Sequence, residues 1–194
     1  APAVAGRVTC AARTLMTIVS IFGGSALAPR SPGYQEAATL GTLLARAGYT
    51  VATGGYDGIM EAASRGAKEA GGSTIGVTTS HFASLKLGPN AWIDQEITFP
   101  TLFQRLHHLV TFSHALVALR GGVGTLSEVA LAWSLMQVAE LPSKPFVLVG
   151  PHWRRILENI RRESTVKEPD LDLLSFAPTV EGVIPLLQAH TRAS

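Results

Sequence analysis

The sequence predicts an α/β fold: one domain built on a parallel sheet with helices on both faces. Two observations predict it. From residue 16 onward, short apolar runs alternate with longer helical stretches. Glycine-rich turns follow the strand-like runs at Phe22-Gly23-Gly24-Ser25, Thr53-Gly54-Gly55-Tyr56-Asp57-Gly58 and Arg120-Gly121-Gly122-Val123-Gly124. Repeated β-α units close into a parallel sheet. In that architecture ligands bind beyond the carboxyl ends of the strands, where the glycine turns cluster.

Taken in order, residues 16–22 (MTIVSIF) read as the first strand, and 29–33 as loop. A helix over 34–47 is stopped by Gly48. A short strand at 49–52 leads through the second glycine turn to a helix over 59–70, closed by Gly71-Gly72. A strand at 73–78, a loop at 79–90 and a strand at 92–97 follow. A helix over 101–112 precedes the apolar strand Ala115-Leu116-Val117-Ala118-Leu119. The stretch 129–136, rich in Ala and Leu and too long for a strand, is the helix after the third glycine turn. The chain ends with a strand at 144–149, a helix over 153–162, and a last helix over 178–189 that Pro185 kinks or delays. Residues 1–15 are rich in Ala, Arg and Thr and lack acidic residues. They read as a disordered extension ahead of a catalytic domain over 16–194, with an internal start at Met16 as an alternative.

Composition excludes several classes. The chain has 194 residues, enough for a substantial single core, and 46% of them are hydrophobic against 15% charged. A net charge of +2 gives no basic footprint for nucleic acid. Cys10 is the only cysteine, so no intrachain disulfide and no thiolate metal cluster is expected. The histidines (81, 107, 108, 114, 152 and 190) lack metal-ligand spacing, and no metal or organic cofactor is expected. No apolar run of about 20 residues occurs, so a membrane span is not expected and a cytoplasmic location is.

The third glycine turn organises the chain. Glycine there lets the backbone approach a ligand closely. The free N–H groups and positive end of the following helix suit a phosphate, and the Thr125 and Ser127 hydroxyls add donors. Glu128 has two readings: a helix-dipole or capping role, or a carboxylate aimed at the sugar of a bound nucleotide. Through the helix over 101–112, Phe99, Leu102, Phe103, Leu106, Leu109 and Val110 form an apolar stripe, and Arg105 falls about 100° from its centre. From there Arg105 either snorkels to solvent or looks across a cleft at an anion.

These blocks resemble the Lonely Guy family of cytokinin riboside monophosphate phosphoribohydrolases, often mislabelled lysine decarboxylases. Gly121-Gly122-Val123-Gly124-Thr125-Leu126-Ser127-Glu128 resembles that family's P-G-G-x-G-T-x-x-E. Residues 53–62, TGGYDGIMEA, are similar to its T-G-G-x-x-G-I-M-E-A. Phe103-Gln104-Arg105, eight residues before Ser113, is like its arginine helix, and Phe22-Gly23-Gly24-Ser25 like its first phosphate-side turn. The resemblance spans roughly residues 16–159. It implies a Rossmann-like homodimer that hydrolyses the N-glycosidic bond of a purine nucleoside 5′-monophosphate, AMP or a cytokinin ribotide, releasing the base and ribose 5-phosphate. Arg105 and Glu128 match its catalytic pair. Gly121, Gly122, Gly124 and Thr125 match its phosphate loop, joined here by Arg120. Gly24, Ser25, Gly54 and Gly55 fall in the companion turns, and Glu61 matches a glutamate read only as supporting.

The chain departs from the pattern at Arg120, where the family has proline, and at His114, Leu106 and Asp57. These changes leave the loop and the Arg105/Glu128 pair intact. No G-x-S-x-G elbow marks a serine hydrolase, no Schiff-base motif surrounds any lysine, and the third glycine of a dinucleotide fingerprint is missing. The standing alternative is a non-catalytic carrier of a nucleotide or of molybdenum cofactor.

Overall fold

The computed structural model describes residues 17–84 and 88–193. The extension read over 1–15 lies outside the described residues. In chain order the elements are β1 (Ile18–Phe22), α1 (Pro32–Arg46), β2 (Thr50–Thr53), α2 (Ile59–Glu69), β3 (Thr74–Thr79), α3 (Ser80–Ser84), β4 (Gln95–Phe99) and α4 (Leu102–Thr111). Then come β5 (Ala115–Ala118), α5 (Val123–Gln137), β6 (Phe146–Val149), α6 (Pro151–Glu163), α7 (Glu168–Leu171), β7 (Ser175–Ala177) and α8 (Val183–Ala193). The seven strands form one parallel sheet in the order β4-β3-β2-β1-β5-β6-β7. The chain winds outward from β1 to β4, then crosses back to lay β5 on the other side of β1. That reversal makes the gap between β1 and β5 the topological switch point.

Alternation along each strand divides the core in two. Val19, Ile21, Val117, Leu119, Val147 and Val149 face one way, onto α1, α2 and α8. Phe22, Leu116, Ala118, Phe146 and Leu148 face the other way, onto α4, α5 and α6. With both faces covered, the central strands are buried at every residue but Ile18, as a parallel sheet requires.

The local differences from the sequence reading have local causes. The strand expected over 92–97 begins only at Gln95, because Asp94 accepts from the Thr74 N–H at 2.9 Å and Thr74 donates to the Trp92 carbonyl at 2.6 Å. These bonds hold 92–94 as a loop against the start of β3. The expected loop over 79–90 contains α3. The last helix starts at Val183 after a 3-10 turn over Val180–Gly182, with Pro185 in its first turn, where a missing N–H breaks no helical bond. Strand β7 was not expected: three residues are too few for an alternation signal.

Helices α1 and α2 pack closely through glycines. A methyl on Gly41 would strike the Ala63 carbonyl, and one on Gly66 the Ala38 carbonyl. Gly41→Ala or Gly66→Ala should therefore cost about 1–3 kcal/mol by overpacking. Calorimetry should record this as a lower Tm, about 2–4 °C per kcal/mol for a domain of this size. An unchanged Tm would show that the helices lie farther apart.

Candidate active site at the switch point

Three glycine turns meet at the carboxyl end of the sheet. The Gly24 N–H donates to the Arg120 carbonyl at 3.1 Å, and the Gly24 carbonyl accepts from the Ile59 N–H at 3.0 Å. Gly24 thus stitches the turn after β1 to those after β5 and β2. The approach is so close that an added Cβ on Gly24 would lie 3.3 Å from the Gly121 Cα, and one on Gly58 would lie 2.7 Å from the Ser25 carbonyl carbon. Gly58 also has φ of 69°, in the left-handed region that favours glycine.

The third turn opens onto α5. Gly122 is its N-cap and makes no side-chain capping bond. Gly121, Gly122, Val123 and Gly124 are exposed, whereas Thr125 is buried with its hydroxyl against Gly121. The first turn of α5 therefore begins at exposed residues and carries no acidic side chain, an arrangement suited to an anion.

Arg105 and Glu128 come together beside this loop. Thr101 caps α4 by accepting from the Gln104 N–H, which sets Arg105 one turn into the helix. Its Nε donates to the Val77 carbonyl at 2.8 Å, and its guanidinium lies 5.6 Å from the centre of the Tyr56 ring. Gly54 leaves the space for Nη2, which any side chain there would fill. Nη1 stands 3.8 Å from Glu128 Oε1. Both residues are buried, Arg105 at 6% exposure and Glu128 at 7%, so the snorkelling alternative for Arg105 does not hold. Burial pushes the Glu128 carboxyl up to about 7, against the opposing pull of Arg105.

The other sequence candidates are placed as follows. Ser25 is exposed at the rim, Gly54 is buried against the Arg105 guanidinium, Gly55 is buried against Thr78 and Gly76, and Arg120 is exposed beyond β5. Glu61, in the first turn of α2, bears on the Tyr34 hydroxyl across the α1–α2 contact. Sequence reasoning missed Tyr56, whose hydroxyl accepts from the Thr79 N–H at 3.0 Å while its ring underlies Arg105. Its place inside the second glycine block was the available signal. Asn90 secures the same turn, donating to the Gly55 and Tyr56 carbonyls.

A doubly wound parallel sheet with glycine turns converging on its switch point defines a Rossmann-like α/β protein. The chain belongs to the SLOG cluster4 family, whose model matches residues 16–159. A Mycobacterium tuberculosis protein named cytokinin riboside 5′-monophosphate phosphoribohydrolase is 33% identical over 126 residues, 62% of this chain and 66% of that relative's own length. A Rhodococcoides fascians protein of the same name is 29% identical over 97% of this chain and 98% of its own. Among solved structures, the molybdenum cofactor binding protein from Rippkaea orientalis is similar with a TM-score of 0.72 at 28% identity, covering 91% of this chain and 98% of that one. The Lonely Guy resemblance read from the motifs is thus shared by curated relatives bearing that activity's name.

The Glu128 environment sets a pH dependence. The carboxyl titrates near 4.5 when unfolded and near 7 when folded, so between these values the folded protein holds the extra proton. This contribution to stability is complete below pH about 4.5 and is lost as pH rises through about 7. Glu128→Gln should remove it: urea denaturation at pH 5 and pH 8 should show a loss in the parent protein, up to roughly 3 kcal/mol, that the variant lacks. Parallel pH dependences would contradict the placement of Glu128.

Proposed function

We propose that the protein hydrolyses the N-glycosidic bond of a purine nucleoside 5′-monophosphate. The observation that carries this reading is the buried Arg105–Glu128 pair beside an open, anion-suited glycine loop. The names of the mycobacterial and Rhodococcoides relatives support it. The 5′-phosphate sits on the Gly121–Gly122–Gly124–Thr125 loop, with Gly24 and Ser25 at its edge, and the ribose reaches toward Glu128. As the C1′–N9 bond breaks, its electron pair leaves with the purine and positive charge develops at C1′. The Glu128 carboxylate stabilises that charge and takes a proton from the water that attacks C1′. Arg105 is permanently cationic and serves as a donor, orienting the nucleotide or hydrogen-bonding the departing purine. The purine anion takes up a proton, in balance with the one Glu128 removed from water and then releases, and the products are the free base and ribose 5-phosphate.

A second reading, a non-catalytic carrier of a phosphorylated cofactor, is supported by the coverage of the Rippkaea orientalis protein, 98% of its chain. Product chromatography distinguishes the two. AMP should yield free adenine while adenosine, lacking the phosphate, should not. Arg105→Ala and Glu128→Ala should each lower kcat/KM more than about tenfold, a loss above about 1.4 kcal/mol. Stabilisation by AMP without adenine release favours the carrier, and equal turnover of adenosine rejects the phosphate seat.

We further propose that the working form is a homodimer joined through α4 and α5. Phe103 is 71% exposed, Val123 80%, Leu126 44% and Leu102 46%. Val129 and Met136, by contrast, face inward, so α5 carries apolar residues on opposite sides. Light scattering at micromolar concentration should give twice the chain mass, and Phe103→Asp with Val123→Asp should give a monomer. A monomeric parent protein would rule the dimer out.

A further inference from the structure

Arg105 is permanently charged, so what the fold controls is where its guanidinium sits. The Nε–H is committed to the Val77 carbonyl at 2.8 Å. That bond is a pivot: it fixes one nitrogen and leaves the rest of the group free to swing about it. Nη1 comes no closer than 3.8 Å to Glu128 Oε1, beyond hydrogen-bond length, so the carboxylate does not stop the swing. On the Gly54 side, a Cβ would strike both Nη2 and the Met60 sulfur, so a thioether lies close by. Thioether sulfur is only a weak acceptor and holds a cation poorly. The remaining restraint is the Tyr56 ring, whose centre is 5.6 Å from the guanidinium carbon, within the range of a cation–π contact.

The ring can restrain Arg105 because it is itself fixed. Tyr56 is buried, and its hydroxyl accepts from the Thr79 N–H at 3.0 Å and donates to the Thr79 carbonyl at 3.4 Å. Asn90 donates to the Tyr56 carbonyl at 3.0 Å, and the Phe82 ring meets the Tyr56 ring edge to face with centres 5.2 Å apart. Val77 and Thr79 both belong to β3. One stretch of main chain therefore anchors the guanidinium directly and the ring beside it. The motif T-G-G-x-x-G leaves position 56 open, so this anchor is a feature of the present chain. It bears on Glu128, because burial pushes that carboxyl up and Arg105 opposes the push. The opposition weakens as the two charges separate.

We propose that Tyr56 is a positioning residue for the reaction: its ring, anchored on Thr79, holds the Arg105 guanidinium at its working distance from Glu128. The part in the reaction rests on the reading of Arg105 and Glu128 as the reacting pair. Tyr56 neither touches the scissile bond nor moves a proton. Its two portions are separable, since Tyr56→Phe keeps the ring and removes the anchor, whereas Tyr56→Leu removes both and keeps an apolar side chain.

The test combines a titration and a rate. Carboxyl-carbon NMR of the full chain labelled in glutamate follows Glu128, identified by the signal that Glu128→Gln removes. Circular dichroism establishes that each Tyr56 variant is folded. The Glu128 midpoint, near 7 in the parent protein, should rise by about half a pH unit or more in Tyr56→Leu and by about 0.3 in Tyr56→Phe. With AMP as substrate, kcat should fall about tenfold in Tyr56→Leu while KM changes less than about threefold, because the glycine loop is untouched. If Tyr56→Leu does not fold, the Tyr56→Phe midpoint decides. An unmoved midpoint in the folded variants would overturn the proposal even if kcat fell, since such a loss would mark a merely structural role. A moved midpoint with unchanged kcat would overturn it as well. If the parent protein releases no adenine, the hydrolytic reading falls, and the midpoint alone still tests the hold of Tyr56 on Arg105.

Discussion

The close backbone approach at Gly24 is the constraint on which the rest of this structure depends. One residue's N–H and carbonyl bridge the turns that follow β5 and β2. A side chain at Gly58 or Gly121 would clash and part the turns, and one at Gly24 would press on the Gly121 Cα at 3.3 Å. That contact fixes the start of α5 relative to the ends of β1 and β2, and therefore the position of Glu128 relative to Gly54 and Arg105. A shift of the loop by the width of a methyl group would move a buried carboxylate with respect to a buried guanidinium. The site is consequently held by main chain, the least adaptable part of the molecule, rather than by exposed side chains.

The pair itself is balanced by opposing terms. At 3.8 Å, Arg105 and Glu128 attract, by roughly 4 kcal/mol at an effective dielectric of about 20. Burial works against the carboxylate and prevails, since the carboxyl titrates near 7 instead of 4.5. Arg105 is restrained independently of Glu128, by the Val77 carbonyl and the Tyr56 ring. The pair is therefore not a structural clasp that would collapse without one member. Its carboxyl can change protonation near neutrality while its cation stays in place, which is the behaviour expected of groups meeting a substrate's changing charge.

The sequence made the architecture legible because its signals were local and repeated. Apolar runs of strand length alternating with helical stretches, three of them followed by a glycine turn, specify a parallel sheet without long-range information. The glycine loop stood out by residue type and spacing, and Arg105 and Glu128 were paired only through the family resemblance; their 3.8 Å approach was not legible. Tyr56 was not legible as a support for Arg105, because its role arises only when β2 and β3 pair and α4 crosses them. The late start of β4 depended on Asp94 reaching back 20 residues to Thr74, a contact that periodicity does not encode. The short β7 carried too few residues to register.

The most direct measurement of the central claim is the pH dependence of kcat/KM for release of adenine from AMP. With Glu128 acting as a carboxylate, kcat/KM should rise about tenfold per pH unit at acid pH and level off above about 7, where the buried carboxyl is ionised. No adenine release at any pH, or release that is flat from pH 5 to 8, would contradict the assignment of Glu128 to the chemistry.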